Sequence, residues 1–339
     1  MTTYYGLYGQ KVQYLASDPT DVQVGQVWYN STSATLKIRN ATTSAAWSSG
    51  GALPAAKEGM GGAGTQTAAL GNGGATPGAS NATLLYNGST WTASPGNMNT
   101  ARAYCATTGT QTAAITANGN PNPAANAYST NSETWNGTAW TTTSSPSLPS
   151  GIRAASGTST SALMSGGYSN SGGQYNQTAV EAWGGSSWTN VTGLNTGRTS
   201  GQGGTGTQTT AMVMGGFSYP PSTYNTAVES YNGSTWTNLT GMNTGRRYHA
   251  VSGSPSSVLV YFGSTSPLPN GSASSELWNG STWTASATGA TGRESVAGLG
   301  NSGASSAALV FGGANPTRQS LTEAYLGAGA AQTQTVTVT

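Results

Sequence analysis

The sequence predicts an all-β protein built from a four-stranded unit repeated along nearly the whole chain. Three observations predict it. The stretch Tyr231-Asn232-Gly233-Ser234-Thr235-Trp236 returns as Tyr86 to Trp91, Trp135 to Trp140, Trp183 to Trp188 and Trp278 to Trp283, scarcely altered. The closing Trp residues stand at 91, 140, 188, 236 and 283, a step of 47 to 49, which implies stacked supersecondary units that cannot bury an apolar face alone. No window pairs helical periodicity with good helix formers, whereas four-to-six-residue runs of Thr, Val and aromatics bounded by Gly or Asn-Gly recur.

Composition alone points elsewhere. Leu, Ile, Val and Phe together supply 39 of 339 residues beside 50 Gly, which resembles a disordered chain. Against that, the net charge is only +2, and Gly and aromatics keep a strict period, so the reading is an ordered protein with a thin core of Ala, Thr and Trp. Near-neutral charge offers no basic stripe for nucleic acid and no polybasic patch for a membrane. No apolar run reaches the roughly 18 residues of a spanning helix, and the first residues lack signal-peptide character. The lone Cys105 cannot form an internal disulfide.

Residues 1–35 stand outside the repeat and read as an arm that packs on the repeats or anchors the protein to a larger assembly. Within and just beyond it, Gly25 to Asn30 and Thr35 to Asn40 alternate as two short strands around a polar turn. Trp47 opens the periodic series without a complete motif before it. It precedes Lys57 by ten residues, as Trp188, Trp236 and Trp283 precede Arg198, Arg246 and Arg293, while Trp91 and Trp140 precede Arg102 and Arg153 by eleven and thirteen. One full unit runs from Arg198 through Gly206-Thr207-Gln208-Thr209-Thr210, the apolar run Ala211 to Met214, Gly215-Gly216, a variable loop, Val228 to Tyr231 and the Trp236 strand. Four such strands with turns consume about 45 to 50 residues. The apolar run and Gly pair recur at Leu163 to Gly167, Val258 to Gly263 and Ala308 to Gly313, with degenerate versions ending at Gly74 and at Asn118-Gly119; the double Gly suits positive φ or close backbone approach. Glu133, Glu181, Glu229, Glu276 and Glu323 each stand two residues before the motif aromatic, and an Arg follows each Trp strand, which predicts a structural Glu–Arg contact repeated along the chain.

A repeat of this length, with Gly-Gly after the second strand, an aromatic ending the third and a Trp in the fourth, resembles a kelch repeat. The resemblance covers residues 36–326 and implies a β-propeller of six blades, seven being the alternative. No Trp follows Tyr325, so the Trp47 strand is expected to complete the last blade and leave no raw edge. Leu36 to Asn40 is a candidate third strand for that blade, leaving the role of Tyr325 open. Residues 327–339 are expected to leave as a tail whose Thr335-Val336-Thr337-Val338-Thr339 could pair with a neighbouring subunit of a homo-oligomer. Trp47, Trp91, Trp140, Trp188, Trp236 and Trp283 are the structural repeat positions.

Galactose oxidase shares the kelch propeller, but its copper chemistry implies several His and Tyr ligands, and the chain has one histidine, His249, read as a residue at a blade junction. A metal or other cofactor is therefore not expected, and no nucleophile elbow or phosphate loop is present. Asp18, Asp21, Glu58 and Glu294 are the acids outside the repeat, and sequence alone does not place them together. Where the units differ, the loops after the Gly pairs contain Tyr128, Tyr168, Tyr175, Tyr219 and Tyr224 amid Asn, Ser, Gly and Pro. On one propeller face these Tyr residues could form a recognition surface, with stacking on sugar rings as one use, or simply cover a thin core.

The segment Gly25 to Thr32 leading to Leu36-Lys37-Ile38 is similar to short segments in tail-fibre and other structural proteins of marine bacteriophages. That resemblance implies a non-enzymatic virion protein (tail fibre, appendage or capsid decoration) located on the particle, joined to other virion proteins through the N-terminal arm and displaying its propeller toward host surface carbohydrate. The alternatives are a secreted, extracellular bacterial lectin-like adhesin and a degenerate carbohydrate-active enzyme.

Overall fold

The computed structural model describes residues 12–20, 25–41, 44–169, 176–199, 203–266, 271–300, 303–328 and 331–335. The described chain is all-β, with Pro123–Ala125 as a single 3-10 turn, and forms a β-propeller-like set of antiparallel sheets. It divides into two compact units, Met1–Ala46 with Leu326–Thr339, and Trp47–Tyr325. No helix among the described residues is long and apolar enough to cross a membrane.

The first unit is one sheet in the order Gln13–Leu15, Val27–Asn30, Thr35–Ala41, Ala331–Thr335, parallel at the first pairing and antiparallel at the others. Its Trp28 is fully buried and donates from Nε1 to Asp18 Oδ1 at 3.0 Å. Lys37 Nζ at 2.6 Å and Asn30 Nδ2 at 2.7 Å also point at this carboxylate. Led by the Lys37 contact, these donors hold Asp18 down to about 2. Two expectations change here. Leu36 to Asn40 is not the third strand of the last repeat, because Thr35–Ala41 is paired on both edges, by Val27–Asn30 and by Ala331–Thr335. Thr35–Ala41 accordingly lies in this sheet. The tail strand Ala331–Thr335 pairs within its own chain; residues 336–339 lie outside the described residues.

The second unit contains five four-stranded antiparallel sheets. In chain order they are Glu58–Thr65, Ala68–Ala75, Thr83–Tyr86 and Trp91–Ala93; Ala106–Gly109, Ala114–Ala117, Ser132–Trp135 and Trp140–Thr142; and Ala154–Gly157, Ala162–Ser165, Val180–Trp183 and Trp188–Val191. The fourth is Gly204–Gly206, Ala211–Met214, Val228–Tyr231 and Trp236–Leu239. The fifth is Ala250–Ser254, Ser257–Tyr261, Ser275–Trp278 and Trp283–Ser286. A sixth sheet orders Leu309–Phe311, Thr322–Leu326 and Ala46–Ser49, so Tyr325 occupies its middle strand and Trp47 its outer one.

Burial explains the composition of each unit. In the fourth sheet Gly204–Gly206 and Ala211–Met214 are buried at every position, which selects Gly, Thr, Ala, Val and Met. Trp236–Leu239 buries only its first residue; Thr237 and Asn238 are exposed and polar, and Leu239 is half-buried. The Asn-Gly motif is a turn held by its own side chain: Asn232 Oδ1 accepts the N–H groups of Ser234 at 3.0 Å and Thr235 at 2.9 Å, with Gly233 at φ +94°. It brings Tyr231 and Trp236 into register, their rings 4.9 Å apart.

Neighbouring sheets are joined by contacts that repeat with the sequence. Gly216 N–H donates to Arg246 C=O at 2.8 Å, Gly167 to Arg198 at 3.0 Å, and Gly74 to Arg102 at 3.0 Å. Only glycine suits this crossing, since φ is +99° at Gly216 and a Cβ there would lie 2.7 Å from Thr199 O. Gln111 and Gln208 reach from one sheet into two carbonyls of the sheet before it. Trp140, Trp188, Trp236 and Trp283 each donate their indole N–H to the preceding unit.

The acid–base contact also repeats, and within a unit. Arg153 pairs with Glu181 at 2.5 Å, Arg246 with Glu276 at 3.0 Å and Arg293 with Glu323 at 2.5 Å, while Arg102–Glu133 and Arg198–Glu229 make the same ion pair. Each of these Glu residues also accepts a backbone N–H from the linker that leads into its sheet, as Glu229 does from Asn195 at 2.7 Å. In the first sheet both partners differ: Leu84 stands at the Glu position, and Lys57 donates instead to Ser80 Oγ at 2.7 Å.

Candidate functional site

The backbone turns into the inner strand of several units through a left-handed residue. Gly59, Tyr104, Tyr248 and Ser295 stand two residues after Lys57, Arg102, Arg246 and Arg293, with φ of +62°, +56°, +53° and +54°. In the third unit the bend falls on Ile152, one residue before Arg153, at φ +60°. A β-branched residue is rare in this region, so the surroundings must hold it there. They do so by backbone bonds passed from unit to unit: Gly59 N–H to Ser295 C=O at 2.9 Å, Tyr104 N–H to Gly59 C=O at 2.6 Å, and Ile152 N–H to Tyr104 C=O at 2.9 Å.

Above this belt lies a cleft with two lobes. One, of about 470 Å³, is lined by Tyr168, Thr199, Phe217, Tyr219 and Arg247. The other, of about 380 Å³, is lined by Glu58, Pro77, Tyr104, Asn120, Pro123 and Arg318. Asn126, Tyr128, Ile152 and Tyr248 border both. Tyr128 and Tyr168 meet edge to face at 5.3 Å, and the rings of Tyr104 and Tyr248 lie 6.3 Å apart. Below the belt the inner strands almost touch: Gly61, Gly62, Cys105, Ala155, Gly204 and Gly298 are among the residues around a void of about 30 Å³, room for little more than one water.

Three charged side chains, Arg247, Glu58 and Arg318, line the cleft, and a fourth, Glu294, lies within electrostatic reach of two of them. Arg247 sits against the rings of Phe217 at 4.6 Å, Tyr248 at 4.9 Å and Tyr224 at 5.5 Å. Glu58 pairs with Arg318 at 2.8 Å. Glu294 accepts a hydrogen bond from Ser264 and lies within electrostatic reach of Arg247 and Glu58. Burial raises the Glu294 carboxyl above its ordinary range, against the opposing effects of Ser264 and Arg247. Burial likewise pushes the Tyr104 and Tyr128 phenols up, with the Glu58 charge adding to the shift at Tyr104. Nothing in the spacing places Glu58 and Glu294 together; the fold brings both within electrostatic reach of Tyr104, and each follows the repeat base of its own unit.

Of the five loop tyrosines, Tyr128, Tyr168 and Tyr219 line the cleft, and Tyr224 packs on Phe217 at 5.3 Å behind Arg247. Tyr175 lies outside the described residues. The cleft also uses Glu58, one of the acids outside the repeat, together with Tyr104, Ile152, Tyr248, Arg247 and Arg318, which no sequence motif marks as site residues. A signal was present for two of them, since Tyr104 and Tyr248 share an offset from the repeat Arg. His249 is buried between the fourth and fifth sheets beside Gly203 and Met214, and burial with the charges of Arg246 and Arg198 lowers it to about 3, so it is neutral at physiological pH. No group of three or more potential metal ligands occurs among the described residues.

No protein-family model and no curated protein matches the chain. Among solved structures it is similar to one titled "Structure of YjhT", with a TM-score of 0.65 and 12% identity over 84% of this chain and 99% of that one. At that identity the likeness is one of fold.

Proposed function

We propose that the repeat unit is a closed six-bladed kelch-like β-propeller that serves as a glycan-recognition module. The reading of its function rests on the tyrosine-lined cleft. Ring faces of Tyr128, Tyr168 and Tyr219 supply apolar stacking surface, and Asn126, Thr199 and Arg247 supply polar groups at its border, a combination suited to sugar rings and their hydroxyls.

What supports closure is that the inter-sheet contacts made between sequence neighbours are also made between the chain's two ends. Trp91 donates to Thr322 Oγ1 at 2.9 Å and Trp47 to Ala287 C=O at 3.0 Å, across 231 and 240 residues. Gln66 reaches Ala308 and Tyr325, and Gly313 N–H donates to Lys57 C=O at 2.8 Å. Leu84, Tyr86 and Trp91 of the first sheet pack with Leu309 and Phe311 of the sixth.

The module belongs, in this reading, to a bacteriophage virion as a tail fibre, appendage or capsid decoration, and it acts without catalysis. The small sheet that joins residues 13–41 to residues 331–335 is the anchor toward other virion proteins. Mass spectrometry and antibody labelling of purified particles test the placement: labelling at a discrete site supports it, and protein found only free in the medium removes it in favour of a secreted lectin-like adhesin. A glycan array with Tyr128→Ala and Tyr168→Ala as comparison tests the cleft.

The approach of Glu58 and Glu294 around Tyr104 favours one second reading, a carbohydrate-active enzyme using this pair for acid–base chemistry. Glycan turnover that vanishes in Glu294→Gln while binding persists would establish it; binding without turnover in the wild type would dismiss it.

A further inference from the structure

We infer that the cleft takes an uncharged oligosaccharide of at least two sugar units, one in each lobe, threaded past Tyr128 and Tyr248. The inference rests on the glycan reading above and adds the length and charge of the ligand. Length follows from shape. The lobes of about 470 and 380 Å³ are not separate sites, since Asn126, Tyr128, Ile152 and Tyr248 border both. A single ring resting in either lobe leaves the other open, whereas a chain crossing the shared border covers both.

The lobes also differ in chemistry, as successive subsites do. The Tyr168 and Tyr219 lobe presents aromatic faces on which a ring can lie flat. The Glu58 and Arg318 lobe presents Asn120 and an ion pair, groups that bond hydroxyls sideways.

Charge follows from the pairing of the flanking ions. Arg318 is matched by Glu58 at 2.8 Å, and Arg247 is occupied by three aromatic faces with Glu294 in electrostatic range. Glu294 lines neither lobe but lies within electrostatic reach of Arg247, so with it counted two bases meet two acids around the cleft. An anionic ligand would have to displace Glu58 or approach both carboxylates, so a uronate or sulfated chain is disfavoured.

The test is a binding series of glucose, mannose, galactose and N-acetylglucosamine oligosaccharides from one to six units, with uronate and sulfated counterparts, measured by titration calorimetry on the full chain. The expected result is that one neutral series gains at least about tenfold in affinity between one unit and three and then levels off. The paired variant Glu58→Gln/Arg318→Gln, which keeps the cleft neutral, should reduce the oligosaccharide to the affinity of the single unit, while Tyr168→Ala should weaken both. Equal affinity for one unit and for longer chains overturns the two-subsite arrangement and leaves glycan recognition standing. Tighter binding of the charged counterparts overturns the inference on charge. Absence of binding by every member overturns this inference and the glycan reading together. The length dependence is read in the wild type, so it decides the matter even where a variant fails to fold.

Discussion

Removing Glu229 should cost far more than its ion pair contributes. Arg198 and Glu229 are each about 1% exposed at the side chain. Arg198 Nη1 donates to Gly215 C=O at 3.1 Å and Ala227 C=O at 2.9 Å, and Glu229 accepts from Asn195 N–H at 2.7 Å and Thr196 N–H at 3.3 Å. Burial lowers the Arg198 pKa and the Glu229 charge opposes that, so the carboxylate is what makes the buried cation tolerable. In Glu229→Ala the guanidinium keeps its carbonyls but loses its counter-charge, and two linker N–H groups lose their acceptor. The expected loss is about 3–5 kcal/mol, which at roughly 2–4 °C per kcal/mol lowers the melting temperature by at least about 6 °C. Glu229→Gln, which still accepts from Asn195, should lose less. Urea and thermal unfolding followed by tryptophan fluorescence provide the measurement. A loss in Glu229→Ala below about 1 kcal/mol would refute the assignment of the Glu as the counter-ion and linker clamp of its sheet.

The first sheet permits the converse experiment: Lys57→Arg and Leu84→Glu should each destabilise, yet together show a favourable coupling of about 0.5–3 kcal/mol in a double-mutant cycle. His249 is held near 3 in the folded chain against an ordinary 6.5, so between those values the unfolded chain binds a proton that the folded chain refuses. Stability should therefore fall on acidification by up to about 1.4 kcal/mol per pH unit in that window, and wild type should show a steeper loss than His249→Leu when unfolding is followed from pH 7 to 4. Trp47 contacts the rings of Tyr261, Phe262 and Tyr325 at 5.1–5.3 Å. Trp47→Ala should cost about 2 kcal/mol or more and raise amide hydrogen exchange in Thr322–Leu326 above that in the four-stranded sheets.

The periodic part of the fold was readable because it obeys local rules repeated many times. Asn232-Gly233 announces its turn, the double Gly marks a backbone crossing, and the Glu and Arg offsets name a buried pair that the structure contains. The third strand of the sixth sheet was less legible, because Thr35–Ala41 and Thr322–Leu326 both read as strands. The choice depends on which edges are already paired, a long-range fact absent from either segment. The cleft was half legible for a similar reason. Loop tyrosines stand out by composition, whereas Tyr104, Ile152 and Tyr248 matter through a left-handed φ, which backbone bonds from a neighbouring unit hold at Tyr104 and Ile152. The meeting of Glu58 and Glu294 was invisible, since they are 236 residues apart and adjacent only through the contact of first and sixth sheets.

The belt of left-handed bends has a consequence for how such a protein can change. Main-chain bonds hold the bends at Gly59, Tyr104 and Ile152, and the five bends carry Gly59, Tyr104, Ile152, Tyr248 and Ser295, so one backbone form accepts four different residue types. The recurring Glu–Arg pairs and double glycines build the scaffold, whereas Tyr104, Ile152 and Tyr248 line the cleft. Duplicating a unit therefore copies the scaffold, while an exchange at a bend such as Ile152 alters the cleft wall and leaves the repeated ion pairs in place.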